Sequence, residues 1–297
     1  NLERFREEGI YVTAETNALG WFSLENVALL DYPHPFYVTA PGYERYEQEV
    51  VLKIEASELE LEVRLERGGR IEVPLEPATL EQTHTLIRLQ SLEGYELVPP
   101  GQDWPRGTSI TKVLEKDEII GFGGLRAGRY RVDALAATRG GEWLYLGKHE
   151  ELVLSKGELL QAPLTLNLNG SAYAPGTSAD TLLEVRLQAP REEALRKMVA
   201  IARLEEAPEV PQGTWMHAED ERVGKIAFAS LLFTEVSTEA ADEEKPEGMS
   251  MFDWTMKNLP PAEYVVYGIW VRPPAMALQS QTVKVEPGNV AQVSFNW

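Results

Sequence analysis

Apolar and polar residues alternate in short runs along this chain, and one spacing of them occurs three times. The runs are Phe22-x-Leu24-x-x-Val27-x-x-Leu30-x-Tyr32, Ile120-x-Phe122-x-x-Leu125-x-x-Gly128-x-Tyr130-x-Val132 and Trp254-x-Met256-x-x-Leu259-x-x-Ala262-x-Tyr264-x-Val266. Period-2 alternation predicts a strand with one buried face. The break after it, Ala127-Gly128 or Pro260-Pro261, predicts a short turn. A second strand then begins at the tyrosine or just after it. Recurrence of the whole pattern predicts an internal repeat of β-units. Trp254 stands where Phe22 stands and is expected in a core. Trp21 is out of phase with Phe22 and Leu24 and is expected on an outer face.

A second feature follows each run. Val50–Ile54 leads to Leu59-x-Leu61-x-Val63-x-Leu65. Leu152-Val153-Leu154 leads through Lys156-Gly157 to Leu164-x-Leu166-x-Leu168, and Val283-x-Val285 through Pro287-Gly288 to Val293-x-Phe295. These read as closing hairpins. Gly-containing polar stretches at Arg67-Gly68-Gly69 and Asn167–Gly170 mark boundaries, giving three tandem domains over 1–68, 69–169 and 170–297. The junctions are short, so neighbouring domains are expected to touch.

Further strands are expected at Arg70–Leu75, Thr85–Leu89 and Val199–Leu204. Val98–Gly107 is a loop rich in Gly, Pro and Trp. Pro190–Lys197 has Pro, then acids, then bases, as a helix start does. It reads either as a turn or two of helix running into a strand or as one longer helix. Residues 234–249 form an acidic, solvated insertion of the last domain. Only five or six strands can be drawn before Gly68, where a sandwich of this type needs about seven, so a further segment is expected ahead of Asn1.

The run Thr16-Asn17-x-x-Gly20-x-Phe22-x-Leu24, with Ala40-Pro41-Gly42-Tyr43-Glu44 after it, resembles the carboxypeptidase regulatory-like domain. Asn17 stands in place of the family's Asp and Leu30 in place of its Gly, and Pro33-His34-Pro35 displaces the tyrosine. The middle domain keeps Leu125-x-x-Gly128-x-Tyr130 and has Glu118 at the turn glycine. The last keeps Leu259-Pro260-Pro261-Ala262-x-Tyr264. The resemblance covers about half of the chain. It implies transthyretin-like (prealbumin-like), Ig-like Greek-key β-sandwiches, with no catalytic residues to carry over. Such domains are appended to many kinds of protein, so the resemblance speaks to fold far more than to function.

Composition narrows the function classes. The 297 residues carry a formal net charge of −19, which opposes nucleic-acid and anionic-membrane partners. There is no cysteine, so thiolate catalysis, Cys-based metal sites and disulfides are excluded. No apolar run is long enough to span a membrane as a helix. His34, His84, His149 and His217 fall at no metal-binding spacing. Asp31, Asp103, Asp133, Asp220 and Asp253 lie near expected strand ends or loops. Gly121-Phe122-Gly123-Gly124 sits between strands and lacks the Lys-Ser/Thr of a phosphate loop.

Aromatic residues in or beside loops are the remaining candidates for ligand contact: Trp104, Trp143 with Tyr145, and Trp215. The bland alternative is that they pack over sandwich ends and junctions. The resulting expectation is a non-catalytic structural, adhesive or scaffold segment of an exported or cell-surface bacterial protein. It would be extracellular, surface-bound or periplasmic, would act through protein contacts or self-assembly, and would need no cofactor or metal. Two other classes stand beside it. One is an accessory module binding carbohydrate through those aromatics. The other is the non-catalytic tail of a larger peptidase or glycosidase.

Overall fold

The computed structural model describes residues 13–25, 27, 33–51, 59–76, 84–95, 97, 108–114, 119–137, 142–165, 181–190, 196–210, 215–217, 221–236, 249–272 and 275–296. The chain divides into two compact units, Asn1–Arg67 and Gly68–Trp297. In the first, the described strands form one antiparallel hairpin, β1 (His34–Val38) with β2 (Tyr46–Val50). Between them Ala40-Pro41-Gly42-Tyr43 makes a tight turn: Gly42 has φ of 80° and the Tyr43 N–H donates to the Ala40 carbonyl at 3.1 Å. Pro and Gly at those two positions are what a type II turn requires.

Asn17 shapes the preceding turn. Its Oδ1 accepts the N–H groups of Leu19 at 2.9 Å and Trp21 at 3.0 Å. Trp21 is 72% exposed, while Phe22 stacks on Phe36 with centroids 5.8 Å apart. Residues 21–25 are not in a strand, contrary to their alternation. Among the described residues no strand lies beside them to supply a ladder.

The second unit is built from two β-sandwiches of one design. The proximal sandwich comprises β3 (Gly69–Val73), β4 (Leu75–Glu76), β5 (His84–Ser91), β6 (Ser109–Leu114), β7 (Ile120–Leu125), β8 (Gly128–Ala137), β9 (Trp143–Leu154), β10 (Leu159–Gln161) and β11 (Leu164–Thr165). The distal sandwich comprises β12 (Leu182–Pro190), β13 (Arg196–Arg203), β14 (Trp215–His217), α1 (Glu221–Ala229), β15 (Leu232–Glu235), β16 (Met249–Lys257), β17 (Ala262–Arg272), β18 (Ala275–Val285) and β19 (Val290–Asn296).

The two strand orders superimpose. In the proximal sandwich β10-β3-β7 packs on β6-β5-β8-β9. In the distal one β19-β12-β16 packs on β15-β13-β17-β18, with β14 added beyond β18. Both times the opening strand pairs antiparallel with one neighbour and parallel with the closing strand.

The repeated sequence pattern marks the same structural step in both. β7 runs in one sheet and β8 in the other, as do β16 and β17, so each pattern carries the chain across its core. The tyrosine after the crossing is fully buried and its hydroxyl reaches back four residues. Tyr130 donates to the Arg126 carbonyl at 2.7 Å and Tyr264 to the Pro260 carbonyl at 2.8 Å. A buried phenol needs such an acceptor, and here it pins the corner where the chain changes sheet. Ile120, Phe122 and Leu125 are buried, as are Trp254, Met256 and Leu259.

In the second unit the closing segments are not hairpins; the connection from Val50 to Leu59 in the first lies mostly outside the described residues. The turns at Gly157 (φ 68°) and Gly288 (φ 74°) carry the chain to the opposite sheet, where β10 pairs with β3 and β19 with β12. Pro190 ends strand β12 and Arg196 opens β13, so one longer helix over Pro190–Lys197 is excluded. The actual helix, α1, lies further on. Its Ile226 and Val223 cover the outer face of the distal sheet at Ala200, Ala202, Tyr267 and Ile269. Asp133 and Asp253 lie inside β8 and β16 rather than at strand ends. The Asn167–Gly170 boundary, the Val98–Gly107 loop and most of the acidic insertion lie outside the described residues.

The two sandwiches are joined through a sheet. Met256 and Lys257 of β16 pair in parallel with Trp143 and Leu144 of β9. The result is one seven-stranded sheet, β19-β12-β16-β9-β8-β5-β6.

Close packing fixes a glycine in the distal core. A Cβ on Gly268 would stand 2.7 Å from the Phe295 ring and 3.1 Å from Leu187, whereas one on Gly123 would meet nothing within 4 Å. Gly268→Ala is therefore expected to cost about 1–3 kcal/mol. Gly123→Ala should change stability by no more than about 0.5 kcal/mol. Urea denaturation midpoints of the two variants check this.

Candidate functional site

Alternation along β5, β8 and β9 sends two sets of side chains to opposite faces of one sheet. Ile87, Leu89, Val132, Ala134, Ala136 and Leu146 enter the proximal core. The other face presents Leu86, Arg88 and Gln90 from β5, Arg131, Asp133 and Leu135 from β8, and Trp143 and Tyr145 from β9. In an isolated sandwich that face would meet water. Here Leu135 and Tyr145 are part of the distal core, with Leu86 and Trp143 packed against it. The sheet is buried on both sides.

At the centre of this junction sits the Asp133 carboxylate, with no exposed surface. Its Oδ1 accepts from Arg203 Nη2 at 3.0 Å and from the Tyr145 hydroxyl at 2.5 Å. Its Oδ2 lies 3.6 Å from Arg88 Nη1 and 3.5 Å from Arg131 Nε. Arg203 comes from β13 of the distal sandwich, so the strongest contact crosses the junction. Glu206, in the turn after β13, pairs with Arg131 and lies 3.7 Å from Arg88 Nη2. Arg88 and Arg131 also donate to Gln90 Oε1, at 2.8 and 2.5 Å. Arg88 Nη2 reaches the Ala229 carbonyl at the end of α1, at 3.3 Å.

Burial alone would raise the Asp133 carboxyl, but Arg203, Arg88, Arg131 and the Tyr145 hydroxyl together hold it below its ordinary value. Burial lowers the Arg88 guanidinium. Arg203 is also penalised by burial, yet Asp133 raises it above its ordinary value. Burial pushes the Tyr267 phenol up to about 12. Oδ1 thus accepts two hydrogen bonds, while Oδ2 is held by cations at ion-pair distance and accepts none among the described residues.

The aromatic candidates separate. Tyr145 is 1% exposed and spends its hydroxyl on Asp133. Trp143 is half-buried against the distal core and opens the strand that joins the sandwiches. The structure therefore puts Trp143 and Tyr145 together in the junction, Tyr145 fully inside it and Trp143 in part. Trp215 lies in β14, on the edge of the distal sheet. Trp104 lies outside the described residues. His149 Nε2 sits 2.7 Å from the Pro163 carbonyl. Among the described residues, no group of three or more His, Cys, Asp or Glu could hold a metal ion. No helix among them is long and apolar enough to cross a membrane.

No protein-family model matches the chain, and neither does any curated protein. Solved structures give distant likenesses. A leucine-rich repeat protein from Bacteroides thetaiotaomicron is 12% identical, with 77% of this chain and 26% of that one covered and a TM-score of 0.21. The Bacillus anthracis TIE protein is 11% identical over 96% of this chain and 44% of that one, with a TM-score of 0.22. The Bacillus cereus major pilin subunit BcpA is 10% identical over 95% and 88%, with a TM-score of 0.20. The chain thus spans about a quarter and under half of the first two proteins. TM-scores this low lie below the level at which an overall fold is shared.

Asp133→Asn should expose how the cluster depends on its carboxylate. Removing one partner of a buried ionic group typically costs about 3–5 kcal/mol. Because the folded carboxyl is depressed, its contribution is complete above the ordinary aspartate value of about 3.9 and is lost as pH falls through the lower folded value. Urea denaturation between about pH 5 and pH 2 is expected to show a steeper acid loss for the wild type than for Asp133→Asn.

Proposed function

We propose that the chain is a non-catalytic, tension-resisting spacer of an exported or cell-surface bacterial protein, acting through protein contacts. Its β-domains would run over 1–68, 69–169 and 170–297 and belong to the carboxypeptidase regulatory-like kind. The repeated strand order and the two tyrosine corners support that family reading.

One observation carries the functional reading. In each sandwich the chain enters on a strand that pairs in parallel with the strand on which it leaves. β3 and β4 pair with β10 and β11, and β12 pairs with β19 over Leu182–Gln188. The entering and leaving ends of such a pair lie at opposite ends of the ladder. Tension along the chain then loads all the rungs together in shear. An antiparallel hairpin pulled at its open end loses rungs one at a time. The parallel sheet joint between β16 and β9 and the buried charge cluster add a stiff connection between the two sandwiches.

Single-molecule pulling tests this. Attachment at residues 68 and 297 is expected to need a markedly higher rupture force than attachment at Ala262 and Val285, the open end of the β17–β18 hairpin. Equal forces in the two geometries would remove the reading.

A further inference from the structure

The two sandwiches use the same strand edge differently. In the proximal one, Trp143 and Leu144 at the start of β9 receive β16. Aligning the sandwiches on their corner tyrosines places Met276 and Ala277 of β18 at the equivalent positions: Ala137 faces Trp143 as Val271 faces Met276. That edge of β18 is occupied by β14. Trp215 pairs with Ala277, Met216 with Met276 and His217 with Ala275.

Other edges are closed by side chains. Gln279 and Gln281 of β18 donate to the Asn296 and Ser294 carbonyls of β19, at 2.8 and 2.7 Å. His149 of β9 makes the corresponding contact to Pro163. Lys112 of β6 donates to the Gly121 carbonyl of β7 at 2.6 Å. At β18 the edge is covered by a short strand of its own sandwich, which comes from the segment between β13 and β15. In the proximal sandwich those positions are taken by β5 and β6, and no strand is described between them.

We propose that β14 is an edge cap, and that with β14 displaced the start of β18 accepts strand β7 of a second copy of the chain. The choice of occupant follows from the joint already present. β7 is the proximal equivalent of β16, the strand that docks on β9. Among the described strands β7 pairs with β3 alone. Beyond Gly121 its edge is Phe122-Gly123-Gly124, and Gly123 has open space where a side chain would be, as close approach of another backbone requires. The joint sets the register: Phe122 beside Met276 and Gly123 beside Ala277, parallel. Such a contact joins unlike edges of identical molecules, so it repeats head to tail rather than closing as a dimer. The net charge of −19 opposes it at low salt. The inference rests on the shared strand order and is independent of the tension-bearing role.

Met216→Pro and His217→Pro test it. Adjacent strand residues point their N–H groups to opposite sides, so one of the two prolines removes a rung to β18. Circular dichroism reports folding, and analytical ultracentrifugation at low and moderate salt reports mass. The expected result is a folded variant that forms a concentration-dependent series of multimers, stronger with salt, where the wild type does not. Adding Gly123→Pro, on the edge β7 turns away from β3, should return it to monomer. Three results would overturn the proposal: a folded, cap-disrupted variant that stays monomeric; multimers indifferent to Gly123→Pro; or loss of folding in both proline variants, which would make β14 part of the core rather than a cap.

Discussion

The Asp133 carboxylate and the guanidiniums of Arg203, Arg88 and Arg131 decide how the second unit is put together. A charge taken fully out of water is costly, and mutual attraction offsets that cost only when the geometry is complete. Here the distal sandwich supplies Arg203 against Asp133 and Glu206 against Arg88 and Arg131. Without the distal sandwich, Asp133 would sit on an open sheet face beside cations in water. The cluster thus makes docking specific. Apolar residues of equal volume would serve stability as well, and the β9–β16 ladder fixes the register beside the cluster.

Around that fixed point the rest is repetition. Each sandwich opens and closes on parallel neighbours, turns from sheet to sheet at a buried tyrosine, and covers one core. What differs is the use of the sheet edges. β16 is spent on β9 and β14 on β18, while glutamine, histidine or lysine side chains close parts of other edges. An exposed edge invites further strands, so this division of edges controls how many β-units join and in which direction. Stiffness follows from the same feature, since a joint made of ladder hydrogen bonds cannot swing as a linker does.

Sequence and structure agree where the signal is local and periodic. The alternation around Phe122 and Tyr130, and around Trp254 and Tyr264, was enough to identify equivalent strands, because strand period and corner burial are properties of a few adjacent residues. The outward placement of Trp21 followed from the same phase argument. The junction was not legible. Arg88, Arg131 and Asp133 alternate with apolar residues just as a solvated face does, and nothing in that pattern says whether water or another sandwich lies opposite. Leu86, Leu135 and Tyr145 on the same face were the available sign, since a solvated face has little use for three such residues. The β9–β16 joint covers two residues per strand, too few for any periodicity. In the second unit the closing strands read as hairpins from sequence because a Gly turn between two apolar runs looks the same whether the chain folds back in one sheet or crosses to the other. Helix α1 is nine residues long and contains Gly224, so its pattern is weak.

Native-state hydrogen exchange under rising denaturant tests most directly whether the junction makes one body of two sandwiches. Amides in the centre of β5, in the proximal sandwich, and of β17, in the distal one, should merge onto a single opening isotherm with one free energy and one denaturant dependence. Separate isotherms, with one sandwich opening while the other stays protected, would contradict the account.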